Sequence, residues 1–218
     1  MIGTDRLEVR QARRLTAEPM ESHADISDDG LYRYSLSRSW APDGSMATFI
    51  MLNPSTADAN LDDPTIRRCI GFAKSWGCHG LLVVNLYALR AHNPRRLWEA
   101  SDPVGPKNDT YLENYIDRAL WLKWPLVAAW GANAKPDRVA QVLALARCGA
   151  MPGEESLQAL GVTKSGAPRH PLYLRADAVL APWPVTSDRI PEVAQCDHAD
   201  LACPPGTCDW SGRDGRDG

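Results

Sequence analysis

Runs of apolar residues along the chain predict the strands of a central sheet. Three continuous runs are typical of strands that are buried on both faces, and they cover residues 46–52, 80–85 and 125–130. Residues 31–40 alternate between apolar and polar side chains and predict a further strand. Because the turn residues Pro42-Asp43-Gly44 separate this segment from residues 46–52, we expect the two strands to form a hairpin.

Helical periodicity appears between these strands. The predicted helices cover residues 63–76, 109–121 and 136–147. Asp63 followed by Pro64 is typical of a helix N-cap and first helical position, and Gly77 is typical of a helix end. A strand, a helix and another strand in this order form a βαβ unit with parallel strands. The pattern therefore predicts an α/β fold, a three-layer α/β/α sandwich whose sheet has four or five mostly parallel strands.

Composition divides the chain into three segments. Residues 1–30 form a polar N-terminal extension, with a short helix expected within residues 6–15 and a loop after it. Residues 31–190 form a single α/β domain, in which residues 156–161 lead to an extended segment at residues 170–174. Residues 191–218 form an acidic tail that we expect to be disordered. Since we find neither an apolar leader nor a run of about 18 apolar residues, we expect a cytoplasmic protein.

Charge is distributed unevenly over these segments. The whole chain has a formal net charge of −3, which by itself argues against a general nucleic-acid binder. Residues 31–190, however, contain 18 Lys and Arg against 14 Asp and Glu, a net charge of +4. The two ends contain 6 basic and 13 acidic residues, a net charge of −7. A mildly basic body is compatible with a polyanionic partner and equally with an ordinary mixed-charge surface.

The cysteines give little indication of a metal site. The body of the chain contains Cys69, Cys78 and Cys148, and the tail contains Cys196, Cys203 and Cys208 together with His198. The body cysteines lack the spacing of metal ligands and are expected to be small buried side chains. The spacing in the tail matches no familiar zinc signature. We therefore expect no metal and no cofactor.

Polar residues follow each of the predicted buried strands. In an open parallel sheet, ligands bind beyond the carboxyl ends of the strands. The residues expected at that edge are Asn53, Pro54, Asp58, Asn85, Arg90, Trp130, Asn133, Arg169 and His170. Each also has a structural interpretation, with Asn53 as a turn residue, Asn85 as a loop cap and His170 as a structural histidine. Their convergence on one edge favours a site of the size of a nucleobase.

Five longer segments carry a family resemblance. They are MLNPSTADANLDDPTIRRC, NLYALRAHNP, DPVGPKND, WGANA and LGVTKSGAPRHPLYL, and they lie between residues 32 and 183. With these segments the chain resembles the domain-of-unknown-function family 1643, which is often found in bacteria and their phages. The family has no established activity, so this resemblance implies no reaction.

A more distant resemblance is carried by four short motifs. Leu52-Asn53-Pro54, Val84-Asn85, Trp130-Gly-Ala-Asn-Ala134 and His170-Pro171 are similar, in order and spacing, to motifs of the uracil-DNA glycosylase superfamily. This resemblance implies a uracil-DNA glycosylase-like fold with a pocket for a base taken out of the stack. The chain departs from that pattern in three ways. It lacks an aromatic residue shortly after the first motif, it has Leu172 where Ser is usual, and it has no counterpart of the iron–sulfur cysteines of some members.

Hydrolysis of a glycosidic bond gives each of these residues an expected role. The reaction leaves a cationic sugar and an anionic base, and both need stabilisation. The expected base-binding residues are Asn85, whose amide reads one edge of the base, Trp130 and Pro54. The expected catalytic residues are Asn53, which positions water, His170, which donates to the base, and Asp58, with Asp62 and Asp63 as alternative carboxylates. The expected phosphate-binding residues are Arg67, Arg68, Arg90 and Arg169, although arginines on a helix face are most often only solvated.

Three hypotheses of function remain open at this point. The leading one is hydrolysis of an N-glycosidic bond at a nucleobase, with DNA as the expected substrate and RNA or a free nucleotide as alternatives. The second is a module that binds a nucleotide or modified base without cleaving it, which Asn53 and the missing aromatic residue favour. The third is a metal-dependent enzyme that uses Cys78, His79 or the cysteines of the tail.

Overall fold

A computed structural model describes residues 21–55, 57–93, 95–148 and 157–183 of the chain. The helix expected within residues 6–15 and the acidic tail at residues 191–218 lie outside the described residues. None of the helices in this part of the chain combines the length and the apolar character that a membrane span requires.

One mixed sheet of seven strands forms the centre of the described fold. Its strands are β1 (Glu21–Ile26), β2 (Arg33–Ser39), β3 (Met46–Met51), β4 (Gly80–Asn85), β5 (Leu126–Ala128), β6 (Leu157–Ala159) and β7 (Ala181–Pro182). Their order across the sheet is β1-β2-β4-β3-β5-β6-β7. The four central strands, β4, β3, β5 and β6, are parallel. The strands β1, β2 and β7 are added antiparallel on either side of them.

Three predictions about the sheet are therefore wrong. The sheet is not mostly parallel and has more than five strands, because exposed segments with little apolar patterning, such as β1 and β7, also pair with it. The strands β2 and β3 do not form a hairpin, since β4 lies between them and pairs with both, Val83 with Leu36 and Asn85 with Met51. The physical reason is that β3 already has a parallel partner on each side, so β2 pairs with the other side of β4.

Four α-helices connect the strands of the described chain. They are α1 (Pro64–Ser75), α2 (Arg95–Glu99), α3 (Asn108–Trp121) and α4 (Pro136–Cys148), and a 3₁₀ helix covers Pro171–Tyr173. The three helices predicted from periodicity are confirmed within one or two residues. The predicted start of α1 is confirmed too, because Asp63 Oδ1 accepts a hydrogen bond from the Ile66 N–H at 2.9 Å and Pro64 is the first helical residue.

Two segments differ from their predicted conformation. Glu21–Ile26 forms strand β1 instead of a loop, since its backbone pairs with β2 without burying an apolar face. The segment expected to be extended at residues 170–174 contains the 3₁₀ helix instead, because the His170 side chain caps the N–H of Leu172 and Pro171 takes the first helical position.

Alternation along the strands divides the core into two layers, one on each face of the sheet. On one face, here called the α1 face, the strands pack against α1 through Phe49, Met51, Leu81, Val83, Val127 and Ala129. On the other, the α3/α4 face, the strands pack against α3 and α4 through Ile50, Val84, Leu126 and Ala128. Helices thus cover both faces of the sheet, and the carboxyl edge of the parallel strands is left for the loops.

Candidate functional site

The carboxyl ends of β3, β4 and β5 lie side by side, and the loops that follow β3 and β4 remain paired beyond the sheet. The N–H of Leu86 donates to the carbonyl of Met51 at 2.8 Å, and the N–H of Ala91 donates to the carbonyl of Pro54 at 3.0 Å. The two loops that carry the first two motifs therefore form a continuous wall along this edge.

Asn85 is the last residue of β4, and the residue is only 1% exposed. Because it follows Leu81 and Val83 at intervals of two residues, its side chain points to the α1 face. Within the described residues, neither its Oδ1 nor its Nδ2 has a hydrogen-bond partner, although both atoms are buried. Buried amides are almost always hydrogen-bonded, so this free donor and acceptor indicate a position for a ligand or water.

Asn53 follows β3, and its amide holds the wall together. Its Nδ2 donates to the carbonyl of Ala91 at 2.8 Å and to that of Pro54 at 2.9 Å. Pro54 itself is buried. Both hydrogen atoms of the amide are therefore used by the backbone, and Asn53 contributes to the site by fixing the loops.

His170 lies between the loop after β5 and the start of α1. Its Nδ1 accepts from the N–H of Leu172 at 3.3 Å, so the proton of the neutral ring is on Nε2. Burial lowers the pKa of His170, and the carboxylate of Asp63 opposes this with a smaller effect. Gly131, with a φ of 75°, brings the loop so close that a Cβ on it would lie 3.8 Å from the Cβ of His170. The ring is therefore neutral at pH 7 and carries one N–H donor.

The three aspartates considered as the catalytic carboxylate all have structural partners. Asp58 Oδ1 accepts from the N–H groups two and three residues later, at 2.8 and 3.0 Å, and these bonds lower its pKa. Asp62 Oδ1 accepts from Arg38 Nε at 2.9 Å. Asp63 caps α1 and is the one of the three that acts electrostatically on His170. The charge of Asp63, and not that of Asp58 or Asp62, is therefore the one that affects the pKa of the imidazole.

The arginines of α1 point in two directions. Arg67 is exposed, and its Nη1 donates to the carbonyl of Asp62 at 2.5 Å. Arg68 is half-buried, donates to the carbonyl of Leu174, and has its guanidinium carbon 5.2 Å from the centre of the Phe72 ring. Arg67 is thus the more accessible of the two for a phosphate contact.

The other two predicted phosphate-binding arginines lie on different loops. Arg169 is exposed, and its N–H donates to the carbonyl of Gly161 at 2.8 Å, beyond β6. Arg90 is half-buried, and its Nη1 donates to the carbonyl of Gly30 at 3.2 Å. Arg90 lies on the loop that begins after Asn85, and Arg169 adjoins His170 in the chain.

Trp130 lies on the opposite face of the sheet from Asn85. It is 3% exposed, belongs to the α3/α4 face and contacts Trp183 edge-on, with ring centres 5.2 Å apart. It follows Leu126 and Ala128 at intervals of two residues, which explains the direction of its side chain. The structure therefore does not bring Trp130 together with Asn85.

Two buried arginines on β2 were not predicted. Arg33 is 2% exposed and donates from Nη1 to the carbonyl of Ala57 at 2.7 Å. Arg38 is 1% exposed and donates from Nη2 to the carbonyl of Asp58 at 2.5 Å. Arg38 has the same parity as Leu36 in the alternating segment, which is a sequence signal of burial. Arg33 has no such signal, because a bulge in the pairing with β1 interrupts the alternation between them.

Cys69 and Cys78 are both buried. Cys69 and Cys78 are free, and burial raises the pKa of each. In the parts of the chain that the structure describes, no group of three or more His, Cys, Asp or Glu side chains could hold a metal ion. The cysteines of the tail lie outside those parts, and so the alternative hypothesis of a metal site in the tail is not tested.

Comparison with known proteins finds one family whose sequence model the chain matches. Residues 33–172 match the model of a family described as a protein of unknown function, DUF1643. No curated protein and no solved structure matches the chain. The matched range includes Arg33, Asn53, Asp63, Asn85 and His170, and so it contains the whole candidate site.

Proposed function

The chain belongs to the DUF1643 family, and we propose that it binds a nucleobase at the carboxyl edge of its sheet and hydrolyses the N-glycosidic bond of that base. The observation that carries this proposal is Asn85, whose buried Oδ1 and Nδ2 have no partner in the described residues. The pairing edge of a base offers a hydrogen-bond donor beside an acceptor, which one amide group can satisfy together. A base bound at Asn85 would therefore give both the Oδ1 and the Nδ2 atom a hydrogen-bond partner.

The resemblance to the uracil-DNA glycosylase superfamily supports the same proposal. Its second and fourth motifs correspond here to Val84-Asn85 and His170-Pro171, the segments that carry the amide and the imidazole. A glycosylase-like relationship of the fold is part of the proposal, and the parallel arrangement of β4, β3, β5 and β6 with helices on both faces is compatible with it.

In the proposed reaction, water attacks C1′ of the sugar while the bond from C1′ to the base nitrogen breaks. The bonding electron pair leaves with the base. His170, neutral and protonated on Nε2, donates a hydrogen bond to the base oxygen on which negative charge develops. We assign the proton of the water to Asp63, because it is the carboxylate that acts electrostatically on His170. Asn53 positions the loops rather than the water.

A base-release assay tests this proposal. The full chain is incubated with single-stranded and duplex oligonucleotides that contain uracil, hypoxanthine or an alkylated base, and with free nucleotides, and the released base is measured by mass spectrometry. We expect Asn85→Ala and His170→Ala to reduce release at least about a hundredfold. Two matched controls should retain it: Asn114→Ala, an exposed amide on α3, and His79→Ala, an exposed imidazole at the amino end of β4. Release that persists in His170→Ala would refute the catalytic role of the imidazole.

Binding without cleavage is the second candidate function. It is favoured by the hydrogen bonds of Asn53, Asp58 and Asp62, which already use the groups that a hydrolase would direct at water. In that case a nucleoside or nucleotide raises the melting temperature of the protein, and this stabilisation depends on Asn85. The ligand is recovered intact after long incubation. Recovery of free base from the same incubation would exclude this second function.

A further inference from the structure

Arg33 and Arg90 are neighbours across a short extension of the β2–β4 pairing. Tyr32 and Leu89 form an antiparallel bridge, and the N–H of Arg33 donates to the carbonyl of Ala88 at 2.9 Å. Ala88 and Arg90 are two residues apart, so Arg33 and Arg90 are diagonal neighbours on the same face of this extension, a spacing that long side chains can bridge. Because Arg33 contacts Ala57, that face is the α1 face, to which Asn85 also points.

Each of the two guanidinium groups donates a hydrogen bond to a backbone carbonyl and has a buried Nε–H group without a partner among the described residues. Arg33 donates to Ala57 and Arg90 donates to Gly30. The Nε of each is buried and has no hydrogen-bond partner among the residues described. Each of the two side chains therefore has a buried N–H donor that is available to a ligand.

The positive charge at this position is not matched by a carboxylate hydrogen bond. Among the described residues, the carboxylates that act on Arg33 are Asp63 and Asp58, and each is bonded through Oδ1 to backbone N–H groups. Burial lowers the pKa of Arg33 to about 10, and the charges of Arg90 and Arg38 contribute to this while those of Asp63 and Asp58 oppose it, so the side chain is still cationic at pH 7. Burying two like charges beside each other is costly unless an anion joins them.

On the basis of the nucleobase function proposed above, we propose that Arg33 and Arg90 bind one phosphate group of the ligand, and that this ligand is a free nucleoside monophosphate. Guanidinium groups bind phosphate oxygens through directed N–H donors, which matches the two vacant Nε positions. Arg33 is 2% exposed, and a phosphodiester inside a long strand would have to pass in and out of this buried position. A terminal phosphate enters from one side only.

Calorimetric titration compares three kinds of ligand: nucleosides, their 5′-monophosphates and single-stranded oligonucleotides. For at least one base, we expect the monophosphate to bind tenfold or more tightly than the nucleoside. Arg33→Met and Arg90→Met should each remove this difference while nucleoside affinity changes less than threefold. Arg96→Met, at an exposed arginine of α2, should retain it. Inorganic phosphate should raise the melting temperature of the wild type, relative to chloride at equal ionic strength, and should not do so for Arg90→Met.

The outcomes separate this inference from the nucleobase function. Equal binding of nucleoside and monophosphate overturns the phosphate site and leaves base binding intact. Oligonucleotides that bind as tightly as the best monophosphate overturn the assignment to a free nucleotide. Stabilisation by phosphate that depends on Arg90, with no binding of any nucleoside, supports the anion site and overturns base recognition. Should Arg33→Met fail to fold, Arg90→Met alone decides among these results.

Discussion

Asn108, at the start of α3, holds the backbone of Asn85 from the opposite side of the sheet. Its Nδ2 donates to the carbonyl of Asn85 at 3.0 Å and to that of Leu86 at 3.1 Å. Asn108 is itself fully buried. One asparagine thus fixes the main chain of the other, whose own side chain has no partner in the described residues. Removing the Asn108 amide should therefore lower the stability of the protein, whereas removing the Asn85 amide should not.

Replacing Asn108 by Leu should destabilise the protein by about 1–3 kcal/mol, because it removes two buried hydrogen bonds, although the carbonyl of Leu86 keeps Arg138 Nε as a donor. Denaturant titration monitored by circular dichroism measures this change. The matched substitution Asn114→Leu, at an exposed position of the same helix, should change the unfolding free energy by less than about 0.5 kcal/mol. Similar losses in both variants would show that the hydrogen bonds of Asn108 contribute little.

Replacing Asn85 by Leu should leave stability unchanged or increase it by about 1 kcal/mol, because a buried amide without partners is exchanged for an apolar side chain of similar size. The same variant should lose ligand binding. Thermal unfolding with and without nucleotides measures both effects. A clear loss of stability in the absence of ligand would mean that the Asn85 amide is satisfied within the folded protein.

The ion pair between Arg38 and Asp62 should be important for stability. Arg38 has a side chain that is 1% exposed, and Asp62 has one that is 20% exposed. Asp62→Asn leaves the buried guanidinium without its carboxylate and should cost about 2–3 kcal/mol. The control is Asp177→Asn, which removes the partner of Arg175 in a pair that is 68–87% exposed and should have no measurable effect. Equal effects in the two variants would contradict the role of burial.

His170 should make the stability of the protein depend on pH. Burial holds its pKa in the folded state below the ordinary histidine value of about 6.5, so the unfolded chain binds the proton more readily. The resulting stability is fully present above about pH 6.5 and is lost as the pH falls through the folded-state pKa. His170→Asn, which keeps an acceptor for the N–H of Leu172, should lose less stability than the wild type between pH 7.5 and 5. Parallel curves for the two proteins would contradict the shift.

The strands and helices that depend on local pattern were predictable. The runs that became β3, β4 and β5 are apolar because both of their faces are covered, and α1 has its cap and its apolar stripe in adjacent residues. The pairing of β2 was not predictable, because neighbours in the chain favour a hairpin and nothing local reveals that β3 has partners on both sides. Strand β1 pairs through its backbone, and its sequence ESHADI is largely polar.

The sequence predicts those residues of the candidate site that lie at or just beyond the end of a strand. Asn85 and His170 were identified because ligands bind beyond strand ends, and parity along β5 would also have placed Trp130 on the other face. Arg33 was not predictable, since a bulge changes the direction of its side chain and its partners come from distant loops. The bonds of Asn53 and Asp58 to backbone groups depend equally on the folded loops.

The loop between β3 and α1 is held in part by side chains that lie outside it. Arg33, Arg38 and Arg67 donate to the carbonyls of residues 57, 58 and 62, so these bonds would form with almost any side chains on the loop. Exposed positions such as Asn60 and Leu61 are thereby separated from the task of folding. For protein engineering, this makes the loop a place where libraries of substitutions can alter ligand preference while the scaffold stays intact.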